Sequence, residues 1–202
     1  MKPLILAAMD CEVRPLREAG LECLQTGIGK VNAARAAVEA ILTERPDAII
    51  STGCAGGMAP GLRQMDVVIA SETAYHDVWC GEPNPFGLIE GQPQRFPADP
   101  VLLEAAFKAA PYAHKGLIVT GDQFFISLEE DRRILGLYPD ALAADMESAA
   151  IAQVCRHYGV PFLSVRVISD VHTSEKDQKL TYDAFRERFC AADAAFLKKL
   201  VF

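Results

Sequence analysis

The 202 residues suffice for one domain with a sizeable core, and with 50% apolar and 23% charged residues the balance is that of a globular protein. A net charge of −7 argues against nucleic acid or an anionic membrane surface as partner, since both require clustered Lys and Arg. No apolar run is long enough to span a bilayer, and the start, MKPLILAAMDCEVRP, becomes charged too soon for a secretory signal.

The elements alternate along the chain. PLILAAM is a continuous apolar run, as expected of a strand covered on both faces, and a helix follows from about Val13. GIGKVNAARAAVEAILTERPD carries apolar residues at helical spacing and stops before Pro46. AIIST reads as a strand, CAGGMAPGLRQMD as a glycine-rich loop and VVIASETAY as a longer strand. Residues 77–98, rich in proline and glycine, read as a long loop. Asp99 opens a helix through about Ala110, and GLIVTGD is a strand. SLEEDRRILGL reads as a helix with a capping box of Ser127 and Glu130. ALAADM is a strand feeding the helix ESAAIAQVCRHYG, which Gly159 closes, and PFLSVRVISD is the last core strand. TYDAFRERFCAADAAFLKKL reads as a C-terminal helix. Strands alternating with helices predict a single α/β domain with a parallel-rich sheet.

The six cysteines are scattered, without a C-x-x-C pair, so free thiols in the cytoplasm are expected rather than disulfides or a zinc site. His76, His114, His157 and His172 lack ligand spacing, so neither metal nor cofactor is expected.

In open α/β sheets, sites form beyond the carboxyl ends of the strands. The polar residues there are therefore the candidates. Glu12 reads either as a general base or as an acid that complements a helix N-terminus. TGIGKVN and TGCAGGM read as tight turns or as places where a ligand approaches the backbone, and neither fits a dinucleotide or P-loop motif. Cys54 sits in a strand-end turn, either as a nucleophile with His76 as base or as a small buried thiol. Alternation places Arg166, Ile168 and Asp170 on one face. That leaves open a structural Arg–acid pair or an acid tuned to donate a proton. Phe124 and Phe125 stack a planar base or belong to the core. Asp145 and Glu147, an acidic pair inside AADMESAAIAQVC, need partners wherever they are buried.

GIGKVNAARA, TGCAGGM, ASETAYHD, GLIVTGDQFF, DMESAAIAQVC and VRVISDV stand in an order that resembles the purine nucleoside phosphorylase and nucleosidase superfamily. The resemblance is nearest to its bacterial 5′-methylthioadenosine/S-adenosylhomocysteine nucleosidases, and it runs the length of the chain. It implies a three-layer α/β/α domain with a mixed sheet. It also implies hydrolysis of the N-glycosidic bond of a 5′-substituted adenosine, without cofactor, in a homodimer paired through residues 77–98 and their neighbours. Under that resemblance Glu12 activates water, Asp170 protonates N7 of adenine and Arg166 organises the water and ribose side. Met146 and Glu147 clamp the ribose, Glu147 accepting from its hydroxyls while a helix N-terminus helps satisfy it. Phe124, the Phe125 backbone and Val171 meet the base. Cys54, Ala55 and Gly56 form the glycine turn on the water side, and Met9, Ile28, Tyr182 and Phe185 wall the 5′-group.

The chain departs from that family in three places. Cys54 stands where a serine is usual. Only AGLECLQT lies between the Glu12 helix and GIGK, which implies a shortened N-terminal part. VHTSEKDQKLTYDAF is slightly longer than in relatives. Phosphorolytic relatives carry an arginine where this chain has Ser51, which favours water as nucleophile, though Arg14, Arg17, Arg35 and Arg63 leave an anion site open. Phosphorolysis, including the hopanoid-associated type, is the alternative reaction. A Cys54-dependent hydrolase or amidotransferase and a non-catalytic nucleoside-binding protein are the alternatives of another class.

Overall fold

The computed structural model describes residues 2–124, 127–171 and 197–200. In chain order the elements are β1 (Pro3–Ala7), α1 (Asp10–Glu18), β2 (Cys23–Gln25), α2 (Lys30–Glu44), β3 (Ala48–Thr52), β4 (Cys54–Gly57) and β5 (Val67–Tyr75). Then follow β6 (Arg95–Pro97), α3 (Pro100–Ala109), β7 (His114–Thr120), α4 (Leu128–Leu137), β8 (Ala141–Asp145), α5 (Ser148–Tyr158) and β9 (Phe162–Val171). The apolar runs become the inner strands because a strand covered on both faces has no solvent side to keep polar.

The strands form one nine-stranded sheet in the order β2-β1-β3-β9-β4-β8-β7-β5-β6. Most pairings are parallel, whereas β4–β8, β5–β6 and β5–β9 are antiparallel. Because β5 pairs with β9 as well as with β7, strands β9, β4, β8, β7 and β5 close into a ring. Helices α2 and α5 pack on one face through Ala33, Ala37, Ala40 and Ala149, Ala150, Ala152. Val13 and Leu16 of α1, Leu102 and Ala106 of α3, and Leu197 cover the other. This is the three-layer, mixed-sheet α/β/α arrangement that the resemblance implies.

Several boundaries differ from those read in the sequence. Strand β1 ends at Ala7 and α1 begins at Asp10, ahead of Val13. Strands β2, β4 and β6 occupy segments read as connection or loop; each has only three or four residues, too few for alternation to show. Only residues 19–22 join α1 to β2, which forms one edge of the sheet. Ser127 caps α4 by accepting from the Glu130 N–H at 3.2 Å. The Glu130 carboxylate pairs with Arg133 rather than completing a box. Of the expected C-terminal helix, residues 197–200 are helical and the remainder lies outside the described residues.

At the centre, Arg166 of β9 is fully buried and is held by Asp145 at the end of β8. Asp145 Oδ2 accepts from Arg166 Nε and Nη2, both at 2.8 Å. Arg166 Nη2 also donates to Ser51 Oγ at 2.9 Å and Nη1 to the Val165 carbonyl at 3.1 Å. Asp145 Oδ1 accepts from the Thr120 hydroxyl at 2.6 Å and from the Glu147 and Ser148 N–H groups at 3.3 and 3.2 Å. The Ser148 hydroxyl donates to Oδ2, so Asp145 caps α5 and neutralises Arg166 at once. Removing one partner from a buried pair strands the other charge, at a cost of about 3–5 kcal/mol. Asp145→Asn should destabilise the fold by that amount, measured by urea unfolding at pH 7; a change under ~1 kcal/mol would contradict this reading.

Candidate active site

Beyond the carboxyl ends of the strands lies a cavity. The turn after β1 contributes Ala8 and Met9, α1 contributes Glu12, and the approach to α2 contributes Ile28. Strand β4 supplies Cys54, Ala55 and Gly56, and the segment after β7 supplies Gln123 and Phe124. Ala144, Asp145, Met146 and Glu147 come from the β8–α5 junction, and Ser169 and Asp170 from β9. Glu12, Asp145, Glu147 and Asp170 are all buried, and no Lys or Arg lines the cavity among the described residues.

Backbone donors hold Glu12. Its Oε2 accepts from the Ala8 and Met9 N–H groups at 3.0 and 2.9 Å, and its Oε1 from the Cys54 N–H at 3.0 Å. Three of its roughly four acceptor sites are thus filled, leaving capacity on Oε1. Gly53, at φ 140°, makes room for this: a Cβ there would stand 2.5 Å from Oε1. Glu12 therefore does more than complement a helix N-terminus, because it ties α1 to the β3–β4 turn.

Glu147 is satisfied from a distance. Its Oε1 accepts from the Gly29 N–H, at the start of α2, at 3.0 Å, and its Oε2 lies 4.0 Å from Arg166 Nη2. The helix N-terminus that meets it is that of α2, 118 residues upstream, rather than that of α5, on which it stands. Burial pushes the Glu147 carboxyl up to about 7, and the Asp145 charge adds to the rise. Arg166 and the Gly29 N–H oppose it, and Glu12 adds a smaller upward push.

Asp170 owes its place to a bulge. Ala55 pairs with Ile168 and Gly56 with Asp170, so Ser169 is the extra residue. The expected face shared by Arg166, Ile168 and Asp170 is broken there: Asp170 turns into the cavity while Ile168 joins the apolar cluster of Ala55, Val68 and Ile118. The Ser169 hydroxyl donates to Asp170 Oδ1 at 2.5 Å.

Two of the expected site residues lie off the cavity wall. Val171 packs on the same apolar cluster and does not line the cavity, since the bulge returns it to the side of Ile168. Arg166 also stands behind the cavity wall, because Asp145, Ser51 and Val165 take up its guanidinium. Its Nη2 lies 4.0 Å from Glu147 Oε2, so it stands directly behind two of the acids that line the cavity. Met9, Glu12, Ile28, Cys54, Ala55, Gly56, Phe124, Met146, Glu147 and Asp170 all come together as read. Phe124 and Ile28, each 51% exposed, sit at the mouth. Phe125, Tyr182 and Phe185 lie outside the described residues. His76 is buried at the end of β5 with its ring against Gly121, does not line the cavity, and is kept neutral chiefly by burial. The sequence reading missed Ala8, Gln123, Ala144, Asp145 and Ser169 as wall residues and Gly29 as a donor.

A cavity at the carboxyl ends of a mixed α/β sheet, walled by four carboxylates and capped by an aromatic ring, is the site of an enzyme acting on a small polar molecule. A family model described as the phosphorylase superfamily matches residues 22–201. A 5′-methylthioadenosine/S-adenosylhomocysteine nucleosidase of Geobacillus thermodenitrificans is 40% identical over 185 residues, covering 88% of this chain and 78% of the relative. The same enzyme of Anoxybacillus flavithermus is 37% identical over 231 residues, covering 100% and 98%. The crystal structure of the Neisseria meningitidis nucleosidase in complex with methylthio-immucillin-A superimposes with a TM-score of 0.93 at 35% identity, covering 100% and 99%. The chain belongs to the phosphorylase superfamily and, within it, to the 5′-methylthioadenosine/S-adenosylhomocysteine nucleosidase family.

The raised pKa of Glu147 makes a stability prediction. The stabilisation from its protonated form is complete below its ordinary value of 4.5 and is lost as pH rises through about 7. Glu147→Gln should therefore unfold like the wild type near pH 4.5 and be the more stable protein at pH 8, by at most on the order of 3 kcal/mol. Thermal unfolding of the ligand-free proteins at both pH values checks this, and equal stability at pH 8 would refute it.

Proposed function

We propose that this chain hydrolyses the N-glycosidic bond of a 5′-substituted adenosine of the 5′-methylthioadenosine or S-adenosylhomocysteine class, releasing adenine. The observation that carries the reading is the cavity wall: four buried carboxylates and, among the described residues, no cation. Cleavage builds positive charge on the ribosyl ring and negative charge on the departing base. Carboxylates beside the ribose favour the first, and a proton from Asp170 to N7 neutralises the second. Glu147 accepts from the 2′- and 3′-hydroxyls, which join the Gly29 N–H as donors to its buried charge. Glu12, anchored by three backbone donors, presents its remaining acceptor site to the attacking water. Phe124 stacks the base at the mouth, and Met9 and Ile28 meet the 5′-substituent. The Neisseria meningitidis relative, with its bound nucleoside analogue, supports a ligand of this shape.

Phosphorolysis needs an anion in the same space. The acid wall repels phosphate, Ser51 is spent on Arg166, and Arg14, Arg17, Arg35 and Arg63 are exposed and outside the cavity. A Cys54 hydrolase needs a base beside the thiol, and His76 does not line the cavity. The five described cysteines are free, which supports a cytoplasmic setting. A groove lined by Val31, Ala34, Tyr75, Val78, Val154 and Tyr158, with the stacked pair Trp79 and Phe86 exposed on the adjoining loop, supports a homodimer through residues 77–98.

The wild type should release adenine and the free thiosugar from 5′-methylthioadenosine with or without phosphate, followed by chromatography. Asp170→Asn should lower kcat by ~10²–10⁴. Product that forms only with phosphate, as the sugar 1-phosphate, would replace hydrolysis by phosphorolysis. The protein should run as a dimer in light scattering at micromolar concentration, and a monomer there would remove the pairing reading.

A further inference from the structure

Outside the acid wall, three charged residues from distant parts of the chain close a cycle. Lys30 is the first residue of α2, Asp77 lies two residues beyond β5, and Asp122 two beyond β7. Lys30 Nζ donates to both Asp77 carboxylate oxygens at 2.8 and 2.7 Å. Asp77 Oδ2 accepts also from the Asp122 N–H at 2.8 Å. Asp122 Oδ1 accepts from the Lys30 N–H at 2.7 Å, which completes the ring. The Lys30 and Asp77 side chains are only 21% and 16% exposed, so their attraction is screened less than that of a surface pair. Lys30 Nζ also lies 5.6 Å from the centre of the Tyr75 ring.

The cycle touches the site on both sides. One residue before Lys30, the Gly29 N–H donates to Glu147 Oε1. Two residues after Asp122 stands Phe124, at the cavity mouth. Gly29 adopts φ 93°, and a Cβ there would stand 3.0 Å from Asp122 Oδ1, so the approach of these segments is close and fixed.

We propose that Lys30, Asp77 and Asp122 are positioning residues, whose cycle clamps the start of α2 to the ends of β5 and β7. The clamp thereby sets the Gly29 N–H against Glu147 and Phe124 over the cavity. Without the Lys30 ammonium, the Asp77 carboxylate loses the cation that both of its oxygens bond, and the clamp opens. The groups around Glu147 are then Asp145 from β8, Arg166 from β9 and Glu12 from α1, while the α2 donor is lost. Its ionised form, the form that accepts the ribose hydroxyls, would then require a higher pH.

The kinetic arm of the test rests on the nucleosidase reading; the exchange arm does not. Lys30→Met, Lys30→Arg and Asp122→Ala are compared with the wild type for adenine release from 5′-methylthioadenosine between pH 5.5 and 9. Lys30→Met should lower kcat/KM by on the order of 10²-fold, with the larger part in KM. The acidic limb of its pH profile should move to higher pH. Lys30→Arg should restore both, because its guanidinium reaches the same carboxylate. In Lys30→Met, amide hydrogen exchange at residues 28–32 and 121–124 should be faster while the core strands exchange as before. Folded Lys30→Met with unchanged KM, acidic limb and local exchange would overturn the proposal. So would a loss that follows thermal stability alone and that arginine does not rescue. If Lys30→Met does not fold, Asp122→Ala, whose side chain is 44% exposed, decides by the same readouts. A wild type that releases no adenine retires the nucleosidase reading, and local exchange alone then decides on the clamp.

Discussion

One buried guanidinium organises the site. Among the described residues Arg166 is the single buried Lys or Arg, and it lies behind four buried carboxylates. A buried ion pair adds little net stability, because desolvation consumes most of its attraction, but each partner becomes intolerable without the other. Here the pair also fixes geometry. The Arg166 guanidinium reaches Asp145 on β8 and Ser51 on β3, and Asp145 in turn holds the first N–H groups of α5 and the Thr120 hydroxyl of β7. Four strands and a helix meet on two side chains. The remaining carboxylates must then be satisfied by neutral donors. Glu12 takes three backbone N–H groups, Glu147 one, and Asp170 the Ser169 hydroxyl.

The sheet brings these acids to one rim by folding back on itself. Strand β9 runs parallel to β3 in its first half and to β4 in its second, and meets β5 antiparallel between them. That closure carries the end of β9 next to the ends of β4 and β8. The Ser169 bulge then supplies the last adjustment: without it, Asp170 would share a face with Ile168, in an apolar cluster where a carboxylate has no partner. The glycines at 53 and 29 serve the same end, both at positive φ: Gly53 leaves room for the Glu12 carboxylate, and Gly29 offers its N–H to Glu147 while leaving room for Asp122.

Much of this was legible in the sequence. Strands buried on both faces read as unbroken apolar runs, so Glu12, the Asp145–Glu147 pair and Asp170 stood out as polar residues at strand ends. Long amphipathic segments such as α2 and α5 were equally plain. Strand β4 was not, because CAGG has no β-branched residue and only its partners make it a strand. The bulge at Ser169 was not, because alternation carries no mark of a skipped residue, and Asp170 was therefore read on the face of Arg166 and Ile168. The partner of Arg166 and the donor to Glu147 were out of reach, since these contacts span 21 and 118 residues and exist only once the sheet closes. The resemblance implies that Arg166 organises the water and ribose side; in the structure its guanidinium bonds Asp145 and its Nη2 lies 4.0 Å from Glu147.

The allocation of charge bears on the nucleophile. With its one buried cation paired to Asp145, the described wall of the cavity holds no positive charge for an anionic nucleophile, whereas water requires none. Ionised carboxylates favour positive charge growing on a ribosyl ring, and negative charge growing on a departing base calls for a proton on the base side. Burial and the Asp145 charge raise the Glu147 carboxyl to about 7, so any donor that bonds its charged form also favours its ionisation.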